Sequence, residues 1–332
     1  MKKILISIIL TIVLLYVLLS KITYSDINKL FSIISPWWLL MVWGVYFIYL
    51  QLIRLRFSVL MHSKKIGLWS MFSIVTIHNL CNRLLPLKTG EASYVYLLKR
   101  QHALPAAEGT ATLVIARIFD YVTVSLFFVL SSLLLLKSTP PYVAKVTLVI
   151  SVLLLLSIII LFSITAVGLR MIAFLEKIFA WTKLDRFSVT SVVIKKSHEV
   201  IDSFRIISSI QTYLYAFLIS SLSWGCMFFM YYLLLRGMNL NTHILKVVVG
   251  STFCVFTNIL PLHGVAGLGT YETGWTLGFL MVGFSKAVSI SSAFIVHLFF
   301  LITGITYGLI GFMIYWWQNR KGENDISASF TI

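Results

Sequence analysis

Three groups of polar residues interrupt an otherwise apolar chain, and each carries chemistry that apolar sequence does not need. Arg117 and Asp120 stand three residues apart in Ala116-Arg117-Ile118-Phe119-Asp120, so on a helix they share a face and can pair. Arg83, Lys88 and Glu91 crowd round Leu84-Leu85-Pro86-Leu87, with Asn79 and Asn82 just before them. Asn258 precedes Leu260-Pro261-Leu262, which runs into Gly264, Gly267, Gly269, Glu272 and Gly274. A charge within a membrane span costs about 2.5–3.5 kcal/mol on insertion scales. Arg83, Lys88 and Arg117 suit a phosphate, helped by unpaired N–H groups where a helix is broken. Glu91, Asp120 and Glu272 can balance those bases or accept protons. Gly267 and Gly269 permit a left-handed turn and close approach of backbone to a ligand.

The elements that must position these residues follow from composition. The chain is 59% hydrophobic and only 11% charged, with a mean hydropathy of +0.95, whereas soluble domains carry about a quarter charged residues. The class is an all-α polytopic membrane protein forming a single integral membrane domain over 1–332. Six segments are apolar over the roughly 20 residues a crossing needs: 4–20, 37–60, 109–136, 142–168, 209–235 and 287–317. Met1-Lys2-Lys3 before the first of them reads as an uncleaved signal anchor. Positive residues cluster in the connections expected on the cytoplasmic side: Lys2 and Lys3, then Arg54, Arg56, Lys64 and Lys65, the segment 169–208, and Arg320 with Lys321. The bias places both termini inside a bacterial cytoplasmic (inner) membrane. The formal charge of +16 is thereby assigned to membrane topology and anionic lipid, not to nucleic acid.

On that topology, residues 68–100 leave and return to the cytoplasmic side, while 244–283 start and finish outside. Both read as re-entrant helical hairpins broken at their prolines, one entering from each face. Each half, about 1–138 and 139–318, is then span, span, hairpin, span, and the second is inverted relative to the first; 319–332 form a cytoplasmic tail. Paired broken segments in inverted halves are a pointer to a transporter's binding site.

Each motif also has a structural reading. Arg117 and Asp120 can be an ion pair that holds the bundle, Arg83 and Lys88 can snorkel to the interface, and Glu272 can cap a helix N-terminus. His297 reads as a hydrogen-bonded helix contact, and Cys81, Cys226 and Cys254 as packed thiols. No metal-binding spacing, nucleotide loop or catalytic signature is present in the sequence, and no cofactor is expected.

The run Asn82-x-x-Leu-Pro-x-x-x-Gly-Glu with Arg117-x-x-Asp120, and Leu260-Pro261 with Gly-Leu-Gly-Thr-Tyr-Glu ending at Glu272, resemble two signatures of the lysylphosphatidylglycerol synthase transmembrane region, or flippase-like domain, family. The resemblance covers essentially the whole chain. It implies a lipid-handling core like the membrane half of the multiple peptide resistance factor, with Arg83, Gly90, Glu91, Arg117, Asp120, Pro261, Gly267, Gly269 and Glu272 at matching positions. The aminoacyl-transfer domain of that factor has no counterpart here, so lysyl-lipid synthesis is not expected.

The expectation is therefore a lipid flippase or scramblase that takes an anionic or glycosylated headgroup into a polar cavity between the hairpins. The partners are membrane lipids, with a homo-oligomer or a lipid-biosynthesis enzyme compatible with the same surface. Two other readings stand beside it: a membrane transferase using a lipid-linked sugar, with Glu91 or Asp120 as base, and an accessory subunit of a lipid or glycolipid pathway.

Overall fold

A computed structural model of the chain describes residues 24–85, 89–135, 209–257 and 265–329, with scattered single positions elsewhere. The expected spans at 4–20 and 142–168, the 169–208 segment, and the four prolines Pro86, Pro140, Pro141 and Pro261 lie outside the described residues. So do Lys88 and Asn258.

The described residues form helices and no strand. In chain order these are α1 (Tyr24–Ile33), α2 (Pro36–Leu60), α3 (Leu68–Leu84), α4 (Glu91–His102), α5 (Ala106–Leu135), α6 (Ile210–Gly237), α7 (Ile244–Thr257), α8 (Thr270–Met281) and α9 (Lys286–Ser329), with a one-turn 3-10 helix at Val265–Gly267. Four of them, α2, α5, α6 and α9 up to Arg320, are long and apolar enough to cross a membrane. They coincide with four of the six expected spans. α1 is an addition, a ten-residue helix where only a connection was expected. α9 also continues through Ser329, beyond the apolar run; at that end Arg320 lies over the ring of Trp316, one turn earlier, at 3.8 Å.

The surface of α9 shows which solvent it was built for. Leu298, Ile302, Ile305, Leu309, Phe312 and Trp316 are exposed, and their alternating spacing of four and three residues makes one apolar stripe. The other side carries Gly304, Gly308 and Gly311, and a Cβ there would meet Arg83, Leu80 and Thr76 of α3. Small residues inside and large aliphatic ones outside are how helices associate when lipid is the solvent.

Both broken segments are helix–break–helix units. The first is α3 and α4, closed over Gly90, whose missing Cβ admits the backbone of Cys81 and Asn82. Leu85 is extended, at φ −81° and ψ 133°, as the residue before a proline must be. The second is α7 and α8, where Gly278 lies on the Gly250 carbonyl and Gly274 on Thr257 and Cys254.

The packing repeats with an offset of four helices. α2 packs on α3 as α6 packs on α7, and α3 on α4 as α7 on α8. α4 meets α5 as α8 meets α9, and α3 crosses to α9 as α7 crosses to α5. α2 and α6 pack on each other. The 3-10 turn of the second break also rests on α3, so the two breaks approach one another at the centre.

Candidate functional site

A cavity of about 270 Å³ lies at that centre, bordered by the eight helices α2 to α9 and the 3-10 turn. Arg56 comes from α2, Asn79 and Arg83 from α3, Glu91 from the first turn of α4, and Arg117 and Asp120 from α5. Trp224 and Tyr231 come from α6, Ala266 and Gly267 from the turn, Tyr271 from α8 and His297 from α9. Of the expected site residues, Arg83, Glu91, Arg117, Asp120 and Gly267 line it directly. Gly269 and Glu272 stand one layer behind, through His297.

Four charged side chains form a chain across one wall. The Arg56 guanidinium donates to both Asp120 oxygens, at 2.5 and 3.3 Å, and to Ser220 Oγ at 3.1 Å. The Trp224 indole N–H adds a bond to Asp120 at 2.8 Å. Arg117 donates from Nε to Glu91 Oε1 at 3.0 Å and from Nη1 to Asp120 Oδ2 at 3.4 Å. The expected Arg117–Asp120 pair is therefore present, but it is the longest contact each makes in this chain. Burial separates the two halves: the Arg56–Asp120 side chains are 2% and 7% exposed, against 34% and 29% for Arg117 and Glu91. The inner pair also bonds Ser220 and Trp224, leaving only Arg56 Nε without a partner, and is suited to holding α2, α5 and α6 together. The outer pair opens to the cavity.

Arg83 is held differently. Its Nε donates to Asn79 Oδ1 at 3.0 Å, an oxygen that also accepts from Tyr46 at 3.2 Å. Its guanidinium lies 5.6 and 5.5 Å from the ring centroids of Tyr46 and Phe300, within cation–π range. Among the described residues no carboxylate pairs with it. Three arginines against the two carboxylates Glu91 and Asp120 leave the described cavity wall with one positive charge in excess.

Each break is tied down by a buried histidine. His78 Nδ1 meets the Gly90 carbonyl at 3.3 Å, and Asn82 Nδ2 meets His78 Nε2 at 3.1 Å. A carbonyl only accepts, so Nδ1 carries the proton and Nε2 accepts from Asn82. In the second break His297 Nε2 meets the Ala266 carbonyl at 3.1 Å and its Nδ1 meets Glu272 Oε1 at 2.6 Å. The other oxygen, Oε2, accepts from the Gly269 N–H at 2.7 Å. Ala266, Gly267 and Gly269 have φ of 53°, 76° and 83°, which is the left-handed turn the glycines predicted. Glu272 thus does cap α8, with one oxygen only.

Sequence reasoning passed over Arg56, His78 and Trp224. Arg56 was counted with the flanking bases that set orientation; the structure puts it inside α2, buried against Asp120. The signal was available, since Arg56 falls within an apolar run and an unpaired charge there demands a partner, but the partner is 64 positions away.

A family model described as Lysylphosphatidylglycerol synthase TM region matches residues 4–308. No curated protein and no solved structure matches the chain.

Proposed function

The chain belongs to the lysylphosphatidylglycerol synthase TM region family, a membrane family connected with lipids, and from that premise we propose that it moves a lipid with an anionic or glycosylated headgroup between the leaflets of a bacterial cytoplasmic membrane. The observation that carries this reading is the cation-rich cavity walled by both broken segments. Its volume of about 270 Å³ is below the roughly 300–1,000 Å³ of sites that engulf drug-sized ligands. A headgroup fits, and the acyl chains stay in the bilayer.

In this reading α3–α4 and α7–α8 are re-entrant hairpins from opposite faces, and the halves 1–138 and 139–318 are inverted repeats. Non-helical backbone at membrane depth is tolerated where protein or a water-filled cavity surrounds it, and both breaks border the cavity. The counterpart packing of α2–α5 and α6–α9 supports two structurally equivalent halves, and rocking of one against the other exposes a central site alternately. Arg83, which no described carboxylate pairs, supplies charge to the headgroup, Lys88 follows it in the first break, and Arg117 leaves Glu91 to contact phosphate. Arg56 and Asp120 keep the wall in place. Gly267 presents backbone to the cavity at the second break, Gly269 stands behind it, and Asn258 is assigned to the same site from its sequence position alone.

The test is leaflet exchange of headgroup-labelled phospholipids and glycolipids in proteoliposomes. Losing one charge-assisted hydrogen bond costs about 1.5–3 kcal/mol, so Arg83→Gln and Arg117→Ala each lower exchange by about ten- to a hundredfold in folded protein. Exchange unchanged in both variants, or absent from the intact protein across the panel, refutes the reading.

A further inference from the structure

We propose that Glu272 and His297 form a one-proton binding site whose occupancy is coupled to the second break, so that lipid movement is driven by protons. This rests on the reading of the protein as a lipid translocator and supplies its energy source.

Hydrogen-bond geometry counts the protons. The Ala266 carbonyl can only accept, so His297 Nε2 carries a hydrogen. The Gly269 N–H can only donate, so Glu272 Oε2 faces it as an acceptor. Nδ1 and Oε1 lie 2.6 Å apart, and two lone pairs do not approach so closely. One proton therefore sits between them, whether the pair is written as imidazolium with carboxylate or imidazole with carboxylic acid. A second proton has no place without breaking the Gly269 contact. Removing the one that is there leaves a net negative charge on a carboxylate that is 0% exposed, which burial makes costly.

The same two residues hold the break. His297 anchors Ala266 at one end of the left-handed turn, and Glu272 anchors Gly269 at the other. When the proton leaves, lone-pair repulsion is relieved by turning the imidazole or swinging the carboxylate, and either movement releases an end of the turn. Residues 266 and 267 and His297 line the cavity, so proton occupancy and cavity shape share one set of atoms.

Among the described residues, no second carboxylate bonds to the pair. Tyr271 of α8 stacks on His297 at 4.4 Å, and Cys254 of α7 bonds the Tyr271 carbonyl at 3.3 Å. Tyr231 of α6 and Arg83 of α3 face the pair across the cavity, with Arg117 and Glu91 farther along its wall. α1, which also packs on α9, places no described residue on the cavity wall. Arg83 lines the same cavity as His297; its positive charge favours the deprotonated state, and an anion bound at Arg83 offsets that charge. Headgroup and proton then bind cooperatively.

Two measurements on the intact protein test this. In the first, infrared difference spectra are followed across pH in proteoliposomes, with the carboxyl band assigned by Glu272→Gln and the imidazole band by ¹⁵N-histidine and His297→Gln. A single transition shared by both bands, altered by bound anionic lipid, is expected. A pair that never titrates, or two carboxyl and imidazole transitions independent of each other, overturns the proposal whatever lipid does. In the second, wild-type vesicles carry a pH difference of one unit. One proton moving with each lipid gives about a tenfold leaflet asymmetry of the labelled lipid at steady state, reversed when the gradient is reversed and lost in Glu272→Gln. Lipid that exchanges without responding to the gradient overturns proton coupling and leaves the translocator intact. If no lipid moves at all, the translocator reading fails and proton-driven transport fails with it, while the infrared titration separately decides the proton site.

Discussion

Replacing Asp120 by Asn removes the one charge that three helices share, and the structure sets the size of the effect. Asp120 accepts from Arg56 through both oxygens, from Trp224 at 2.8 Å and from Arg117 at 3.4 Å. Asparagine keeps a single acceptor oxygen and turns an NH₂ toward a guanidinium. Arg56, whose side chain is only 2% exposed, is left as a buried cation without its counter-charge. Breaking such a pair costs about 3–5 kcal/mol, and the cavity on one side of the network places Asp120→Asn near the lower end, about 3 kcal/mol. Equilibrium denaturation in detergent micelles reads this directly, with Trp224 beside the lesion as a fluorescence reporter. Arg56→Met alone strands Asp120 and is comparably costly. In the double variant neither charge remains, and replacement of a whole buried pair by apolar groups is often close to neutral. The cycle should therefore return a coupling energy of about 2 kcal/mol or more. A loss under about 1 kcal/mol for Asp120→Asn, or strict additivity with Arg56→Met, would show that this wall is not held by the pair.

Three further outcomes follow from the same geometry. Glu91→Gln frees Arg117, and because both groups are about a third exposed the gain is small: equilibrium binding of a short-chain anionic lipid tightens by about two- to fivefold, whereas weaker binding would mean that Glu91 itself holds the ligand. Gly278→Ala drives a Cβ into the Gly250 carbonyl, so denaturation should show α7 and α8 destabilised by about 1–3 kcal/mol; wild-type stability would rule out that contact. Ala266→Gly relieves a non-glycine residue at φ 53° and raises stability by up to about 1 kcal/mol in the same assay. A loss there would show that the left-handed turn is not the resting conformation.

How far each feature could be read in advance depended on the range of the interaction behind it. The four long apolar helices and the two broken units follow from local rules, since hydropathy is summed over about 20 residues and a proline constrains its own neighbour. The Gly267 and Gly269 turn was legible for the same reason, as was the Arg117–Asp120 contact, because i and i+3 face each other on any helix. The closest partner of Asp120 was not, and His297 was recognised as a helix contact without its carboxylate. Arg56 and Asp120 lie on different helices, as do Glu272 and His297, and no local period relates them.

The sequence by itself determined the solvent this protein is built for, the breaks in its helices, and which polar residues must be compensated, because desolvation and backbone geometry act residue by residue. Only the tertiary structure decided who compensates whom: Arg56 and Trp224 with Asp120, Glu91 with Arg117, His297 with Glu272, and Arg83 with rings and an amide and no described carboxylate. Those pairings depend on how helices far apart in the chain cross one another, and that crossing is set by the glycine faces and the counterpart packing of the two sets of four helices.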